Sequence, residues 1–108
     1  MIHDFSITEN YVIIPDLPME TRFDIVTKEG GCPFRYNQEV PSYIGIMKKL
    51  NQNPDQVQWF ELPNHYTFHY VNSWEEKNKD GNDNIILWGC TGTEVKIELE
   101  TEHPFVGE

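Results

Sequence analysis

Four histidines carry the most specific chemistry in this chain, and two of them lie close together in the segment "HYTFH". His65 and His69 have the i, i+4 spacing that chelates one metal ion when both residues lie on a helix. The segment is aromatic and β-branched, which favours a strand, where the two rings stand about 13 Å apart on one face. In a strand these histidines cannot share an ion, so a metal site needs a histidine from elsewhere.

The other two histidines lie near the ends of the sequence. His3 follows the first two residues in "MIHDFSITENY", and His103 precedes Pro104 in the polar tail "TEHPFVGE". A chain end frays and holds a site poorly, so either His3 has no role in a site or Met1 is not the true beginning. Residue types alone do not decide which histidine would pair with His65 or His69. We expect His103, and His65 behind the turn-like "LPN", to be ordinary exposed residues.

Composition excludes several classes of protein. The chain has 108 residues, fits one ordinary domain, and carries a net charge of -10, which repels nucleic acid and anionic lipid. Cys32 and Cys90 are too few for a disulfide framework, and we predict ordinary buried or half-buried thiols. No apolar run approaches the roughly 20 residues that cross a bilayer.

The elements that must position the histidines read as mostly β, because the apolar segments are short, β-branched or aromatic, and bounded by turn residues. Residues 11–14 of "NYVIIPDLP" predict a first strand that Pro15 and Pro18 close, since proline cannot donate to a sheet ladder. In "TRFDIVTKEGGCPF" we predict an alternating strand with Phe23, Ile25 and Thr27 on one side, ended by two glycines.

Further strands are predicted in the second half of the chain. "PSYIGIMKKL" gives one, and "DQVQWFELPN" gives another with Val57 and Trp59 opposite Gln58 and Phe60. "HYTFHYVNSW" and "NIILWGCT" are separated by "EEKNKDGNDN", a polar stretch suited to a hairpin loop. "EVKIELE" alternates as a last strand, and we expect "TEHPFVGE" to be a loop. This spacing of short strands predicts a sandwich, barrel or propeller.

Two segments of the sequence resemble signature motifs of the carotenoid cleavage oxygenases. "MIHDFSITENYVIIPDLP" is similar to one signature, and "WFELPNHYTFHYVNSWEE" is similar to a second, in the expected order and at the expected distance. "YIGIMKK" resembles a third, weaker block between them, and "NIILWGC" resembles the strand that follows the second signature. The resemblance covers most of the chain. It implies an all-β fold, the seven-bladed β-propeller of that family.

The resemblance also implies how the chain is organised. A propeller with four strands per blade cannot be completed from 108 residues, and this length holds about one to two blades. We therefore expect residues 1–108 to be a partial propeller domain, truncated at both ends, with Met1 an internal methionine. On that interpretation His3 lies at the start because the chain before it is missing.

The site implied by the resemblance is a mononuclear iron centre held by four histidines. By motif match, His3 and His69 are two of the Fe(II) ligands, and the other two lie outside this stretch. Phe68 precedes one ligand and is a candidate for lining an apolar tunnel, although strand alternation turns it away from the face that His69 uses. Core packing is the alternative role for Phe68.

The implied reaction is oxidative cleavage of a conjugated carbon–carbon double bond in a carotenoid or apocarotenoid, with O2 as co-substrate and no organic cofactor. The expected partners are a hydrophobic polyene and O2, without nucleic acid. Peripheral membrane association would involve parts outside this segment. The expected location is plastid or cytoplasm, and the 108 residues alone are expected to be inactive.

Two alternatives remain open from the sequence. The same fold cleaves stilbenes or isomerises retinoid esters in other members of the family. Ser6 and Ser42 stand where the family commonly has alanine and arginine, which leaves the subfamily open. A different class of protein is a stand-alone β-domain that serves as a binding or interaction module without iron.

We expect the residues that follow the two histidines to have structural roles, chiefly as hydrogen-bond partners of nearby backbone. These residues are Asp4, Thr8, Glu9, Asn10, Asn72, Trp74 and Glu75. The adjacent pair Glu75 and Glu76 has the composition of an acid–base pair. Neighbours on a strand face opposite sides, however, which favours a solvated strand end.

Overall fold

The computed structural model describes residues 1–51 and 53–95, which form three antiparallel sheets, one short helix and one 3-10 turn at Pro54–Gln56. The mostly β class predicted from the sequence is confirmed. The elements, in chain order, are β1 (Ser6–Ile7), β2 (Tyr11–Asp16), β3 (Met19–Thr21), α1 (Phe23–Glu29), β4 (Phe34–Tyr36), β5 (Ser42–Lys48), β6 (Gln58–Leu62), β7 (Tyr66–Lys77) and β8 (Asp83–Gly92).

The largest sheet has four strands in the order β1-β2-β5-β6, with every neighbouring pair antiparallel. The hairpin of β3 and β4, with α1 in its connection, is inserted between β2 and β5. β7 and β8 pair only with each other in the described residues and begin a separate sheet, with β7 beside β1. A four-stranded antiparallel sheet followed by the first strands of the next is the arrangement of propeller blades.

The buried core lies where β2 leads into the β3–β4 hairpin and β7 begins. Leu17, Met19 and Tyr66 form its centre. Burial of such side chains is the main favourable contribution to folding. Half-buried side chains that pack against this cluster are Phe34, Tyr36, Phe68 and Val95. The rest of the predicted last strand, the predicted tail loop and His103 lie outside the described residues.

The strand predicted from "TRFDIVTKEGG" is wrong, because residues 23–29 form α1. Local end signals outweigh the apolar alternation of this short segment. Asp24 lies in the first turn and Lys28 in the last, where each charge complements the helix dipole. Gly30 has φ +71° and donates its N–H to the carbonyl of Val26 at 3.0 Å, so it ends the helix as only glycine does easily. No helix in the described part of the chain is long and apolar enough to cross a membrane.

The prediction that Pro15 closes the first strand is also wrong. β2 continues to Asp16, and Pro15 lies opposite Ile44 of β5. β1 pairs only with Val12 and Ile13 of β2, so beyond Ile13 that edge of β2 carries no strand in the described residues. Proline is tolerated there because a free edge requires no ladder donor.

The predicted alternation of β6 is confirmed. A Cβ on Gly45 would lie 2.9 Å from the Trp59 ring and 3.0 Å from Val57, so both side chains are on the Gly45 face. Phe60 and Gln58 line a groove on the opposite face. The predicted hairpin loop between β7 and β8 is also present. The cysteine prediction holds for Cys32, which is buried, and is wrong for Cys90, which is exposed on β8 because β7 pairs with the edge of that strand and leaves this face open in the described residues.

Candidate metal centre

Tertiary structure brings His3 and His69 together, although 66 residues separate them in the sequence. His3 precedes β1, His69 lies on β7, and their ring centroids are 5.1 Å apart at an interplanar angle of 76°. Metal–imidazole bonds of about 2.1 Å bring two ring centroids within a few ångströms when the rings share one ion. Both histidines are exposed to solvent. The pair therefore has the separation and the access that two ligands of one ion need.

β7 is irregular where it carries His69. Thr67 is opposite Thr91, Tyr70 is opposite Gly89 and Asn72 is opposite Trp88, so the register shifts twice within this stretch. An extra residue in one strand of a pair forms a bulge, which bends the strand and redirects side chains, often beside active sites. The bulged segment is thus what presents His69 towards His3.

Phe68 lies in the same bulged segment, and strict alternation does not describe its position. Its ring makes an edge contact with the His3 ring at 5.5 Å between centroids, although His69 also contacts His3. The expectation that Phe68 turns away from the His69 site therefore fails, because the bulge interrupts the strand geometry on which it was based. Phe68 also packs edge-on against Tyr66 at 4.7 Å, which fits the alternative role in the core.

Asp4 connects the two histidine-bearing segments. Its Oδ2 accepts the backbone N–H of Tyr70, the residue after His69, at 2.9 Å. Its Oδ1 accepts the N–H of Phe5 at 2.9 Å. The Tyr70 bond is the main cause that lowers the pKa of Asp4 below its usual range. The carboxylate therefore ties the chain beside His3 to the backbone beside His69.

Replacement of Asp4 by alanine should lower the stability of the full-length protein more than its turnover per bound iron, because the bond to the Tyr70 N–H is lost while both imidazoles remain. We expect a lower thermal midpoint, less bound iron in the purified variant and nearly normal turnover for each iron atom. Thermal unfolding, metal analysis and an activity assay on one preparation measure all three. Full stability with lost turnover would contradict this structural role.

A series of side-chain hydrogen bonds continues from the histidines along β1 and β7. Ser73 donates its hydroxyl to the carbonyl of Ile7 at 2.8 Å, and Ser6 and Ser73 hydroxyls are 2.7 Å apart. Further along, the Tyr11 hydroxyl donates to Asp83 at 2.9 Å. We call these hydrogen bonds the inter-sheet seam. One side of the seam lies within residues 4–11, and the other side consists of Tyr70, Ser73, Glu75 and Asp83.

Glu75 makes the largest number of bonds in the inter-sheet seam. Its carboxylate accepts the Thr8 hydroxyl, the Asn10 backbone N–H at 2.7 Å and the Asn10 side-chain amide at 2.8 Å. Glu76 instead accepts the indole N–H of Trp74 at 2.7 Å. The two neighbouring carboxylates thus have separate partners, which fits structural roles rather than an acid–base pair.

The remaining sequence predictions concern smaller contacts. Asn72 accepts the backbone N–H of Ser73 at 2.9 Å, and Glu9 is exposed with no side-chain hydrogen bond in the part of the chain that the structure describes. His65 is half-buried rather than exposed, because it lies in a cavity with residues of β5, β7 and β8; its ring nitrogen Nδ1 is 2.8 Å from the carbonyl of Pro63. Within residues 1–51 and 53–95, no three histidine, cysteine or carboxylate groups lie close enough to hold an ion. The two imidazoles that the described residues bring together are those of His3 and His69.

The sequence analysis missed Ser73, Tyr11 and Asp83 as seam residues. One signal was present, since His3 and His69 are 66 residues apart and the bonded pairs Ser6–Ser73 and Thr8–Glu75 are each separated by 67 residues. This nearly constant offset, 66 or 67 residues, reflects two segments that run side by side in the same direction. It becomes informative only when one pair is known to be in contact.

The hydrogen bonds to Glu75 make the stability of the seam pH-dependent. The Thr8 hydroxyl, followed by the two Asn10 donors, holds the pKa of Glu75 below its ordinary value, while nearby Asp83 acts in the opposite direction. Because the folded-state pKa is lowered, this stabilisation is complete above the ordinary pKa and is lost as the pH falls through the folded value. We expect Glu75→Gln to lower the thermal midpoint at pH 7 and the difference from wild type to shrink between about pH 5 and pH 3.

The control for this prediction is Glu76→Gln, which leaves the Thr8 and Asn10 bonds in place. Its thermal midpoint should follow that of the wild type over the whole pH range. If the difference between Glu75→Gln and wild type stays constant down to pH 3, the ionised carboxylate of Glu75 is not the stabilising group.

Comparison with solved structures first defines the class of protein. The crystal structure of the lignostilbene dioxygenase of Pseudomonas brassicacearum is similar to this chain, with a TM-score of 0.57 and 28% sequence identity, over 70% of this chain and 16% of that one. The all-β class and the β-propeller fold expected from the sequence are confirmed, with this chain forming a part of such a propeller.

Comparison of sequences then defines the family. The family model described as "Retinal pigment epithelial membrane protein" matches residues 1–104, and the chain belongs to this carotenoid oxygenase family. A 9-cis-epoxycarotenoid dioxygenase of Arabidopsis thaliana, named as chloroplastic, is 36% identical over 96% of this chain. A carotenoid 9,10(9',10')-cleavage dioxygenase of Phaseolus vulgaris is 33% identical over 91% of it. The chain spans 18% and 17% of the length of these two relatives.

Proposed function

We propose that the full-length protein is an Fe(II)-dependent dioxygenase that cleaves a conjugated carbon–carbon double bond of a carotenoid or apocarotenoid with O2. His3 and His69 are two of its iron ligands. The observation that carries this proposal is the 5.1 Å separation of the two rings, one from the segment before β1 and one from β7, which belong to the two signature motifs. The remaining ligands come from residues outside this stretch.

The donor set of this chain fits iron. Neutral imidazoles are common ligands of Fe(II) and leave the charge of the ion undiminished. When bound, iron supplies the activation of O2 for cleavage of the double bond into two carbonyl groups. Other residues of this chain hold the two histidines in place. The bulge of β7 presents His69, and Asp4, the residue after His3, is bonded to the backbone N–H of Tyr70, the residue after His69.

Phe68 is proposed as an apolar neighbour of this centre. Its ring contacts His3 at 5.5 Å and stands between the two histidines and the Tyr66 core. An apolar ring beside the metal excludes water and suits a polyene, which has no polar groups along its conjugated chain. The proposed function predicts that Phe68 lines the substrate tunnel.

We further propose that residues 1–108 form about one to two blades of a longer propeller domain. The exposed apolar residues of β6 support this proposal. Trp59 is 53% exposed and Phe60 is 48% exposed, and β6 is the last strand of its sheet in the described residues. A stand-alone module is expected to cover such an edge, because an open apolar edge promotes aggregation.

We propose a carotenoid-type substrate rather than a stilbene. The two relatives named as carotenoid dioxygenases match more of this chain, at higher identity, than the lignostilbene dioxygenase does. The residues that line the substrate tunnel select between polyenes and stilbenes. Phe68 is the candidate tunnel residue in this stretch. A plastid or cytoplasmic location also remains a prediction, and the Arabidopsis relative named as chloroplastic supports the first.

The test uses the full-length protein purified with its iron. We expect about one iron atom per chain, and O2-dependent conversion of an apocarotenoid into two carbonyl products identified by chromatography and mass spectrometry. A stilbene assayed in parallel should react more slowly. Faster cleavage of the stilbene would show that the substrate is a stilbene and not a carotenoid. An iron-loaded protein that cleaves neither compound would contradict the proposed function.

The competing module without iron predicts a different result. Under that hypothesis the chain of residues 1–108 is a soluble folded monomer, and the purified protein contains no iron. Analytical ultracentrifugation and metal analysis separate the two hypotheses, since the propeller proposal predicts aggregation of the isolated segment through β6.

A further inference from the structure

The position of β1 beside β7 depends on side chains rather than on a backbone ladder. β1 has two residues and pairs with β2, and in the described residues it shares no sheet with β7. The segment that carries His3 therefore has few backbone bonds to fix its distance from His69. Asp4 and the other seam residues supply the connection instead.

Three donors of the seam converge on the single carboxylate of Glu75. All three belong to Thr8 and Asn10, which lie in the turn between β1 and β2. The turn is closed by the Thr8 N–H, which donates to the Tyr11 carbonyl at 2.9 Å, and the Thr8 hydroxyl also accepts the Tyr11 N–H at 3.1 Å. One residue of β7 thus holds the far end of the short strand that follows His3.

We propose that Glu75 is a positioning residue for the iron centre, which holds the His3-bearing segment against β7 through Thr8 and Asn10. Asp4 fixes this segment close to the histidines, and Glu75 fixes it at its other end. With both ends held, β1 can neither slide nor rotate relative to β7, so the separation of the two imidazoles is set before iron binds. The inference rests on the proposed function in so far as it concerns iron.

An ionised carboxylate suits this role because it accepts several hydrogen bonds and donates none. In Glu75→Gln, one acceptor oxygen becomes an NH2 group that faces the Thr8 hydroxyl or the Asn10 donors. At least one bond is lost, and the turn is free to move. The Thr8 hydroxyl makes the connection on the other side, so Thr8→Val should have the same effect while Thr8→Ser should retain it.

The experiment compares Glu75→Gln with its neighbour Glu76→Gln in the full-length protein. Groups bonded directly to a metal ligand typically contribute 10- to 100-fold to metal affinity; Glu75 acts indirectly, through Thr8 and Asn10, so for Glu75→Gln we expect an effect at the lower end, with iron release to a chelator about tenfold faster than in wild type. The EPR spectrum of the nitric oxide adduct of the iron should change, because the two imidazoles no longer hold one geometry. Glu76→Gln should match the wild type in both measurements.

Thr8 variants separate positioning from general loss of stability. Thr8→Val should reproduce the faster iron release and the altered spectrum, and Thr8→Ser should restore both. The double variant Glu75→Gln/Thr8→Val should show less than the sum of the two single effects, since both substitutions affect the Thr8–Glu75 bond. Faster release with an unchanged spectrum, or additive effects in the double variant, would overturn the positioning role.

Amide hydrogen exchange in the metal-free protein tests the inference independently of iron. Exchange in a peptide covering residues 1–11 should accelerate in Glu75→Gln and remain at the wild-type rate in Glu76→Gln. If wild-type protein binds no iron, the proposed function fails and this measurement alone decides the role of Glu75. Equal exchange in the two variants would overturn it.

Discussion

Replacement of His69 by alanine should remove iron from the full-length protein and abolish cleavage of the polyene. Removing an outer partner of a ligand typically costs 10- to 100-fold in metal affinity, and removing the ligand itself should cost more. The fold should survive, because the His69 side chain is exposed. Metal analysis and circular dichroism of the purified variant measure the two effects separately.

The matched control is His65→Ala, which removes a histidine four residues earlier on the same segment. His65 is half-buried and contacts the carbonyl of Pro63, and the structure gives it no contact with the His3 ring. We expect nearly normal iron content and turnover. Equal iron content in wild type and His69→Ala would contradict the ligand assignment, and His3→Ala should lose iron as His69→Ala does.

Substitution of Gly89 by alanine should disrupt the bulge that presents His69. A Cβ at this position would lie 2.9 Å from the Tyr70 ring and 3.0 Å from the methyl group of Thr67, closer than side chains normally approach. Both neighbours flank the bulged residues of β7. Inserting an atom into such a packed site typically costs about 1–3 kcal/mol of unfolding free energy. Chemical denaturation should show this loss, accompanied by weaker iron binding.

Gly92→Ala is the matched control on the same strand. The nearest atoms to its added Cβ, in Glu94 and Val95, are 3.7 and 3.9 Å away, which is ordinary van der Waals contact. We expect a change in stability within about 0.5 kcal/mol and normal iron content. If Gly89→Ala is as stable as Gly92→Ala, the close approach of Tyr70 to β8 does not constrain the bulge.

Several elements follow from local sequence because their signals are local. The polar stretch between β7 and β8 contains Gly81, which adopts φ +80°, a conformation that glycine enters without steric cost. The alternation of β6 was predictable because the side-chain period of a strand is fixed by the backbone. The end signals of α1, Asp24 and Gly30, are also present in the sequence, and they outweigh the apolar alternation of a seven-residue segment.

The all-β class, the family motifs and the two histidines that those motifs single out follow from the sequence alone. The approach of the His3 and His69 rings to 5.1 Å does not, because His3 lies before β1, His69 lies on β7, and no local pattern encodes the distance between such remote segments. The bulge at His69 was equally hidden, since it depends on the register of β7 against β8. Only tertiary structure decided these features and the bonds of Glu75 to a turn 65 residues away, because they arise from strands that the fold places side by side.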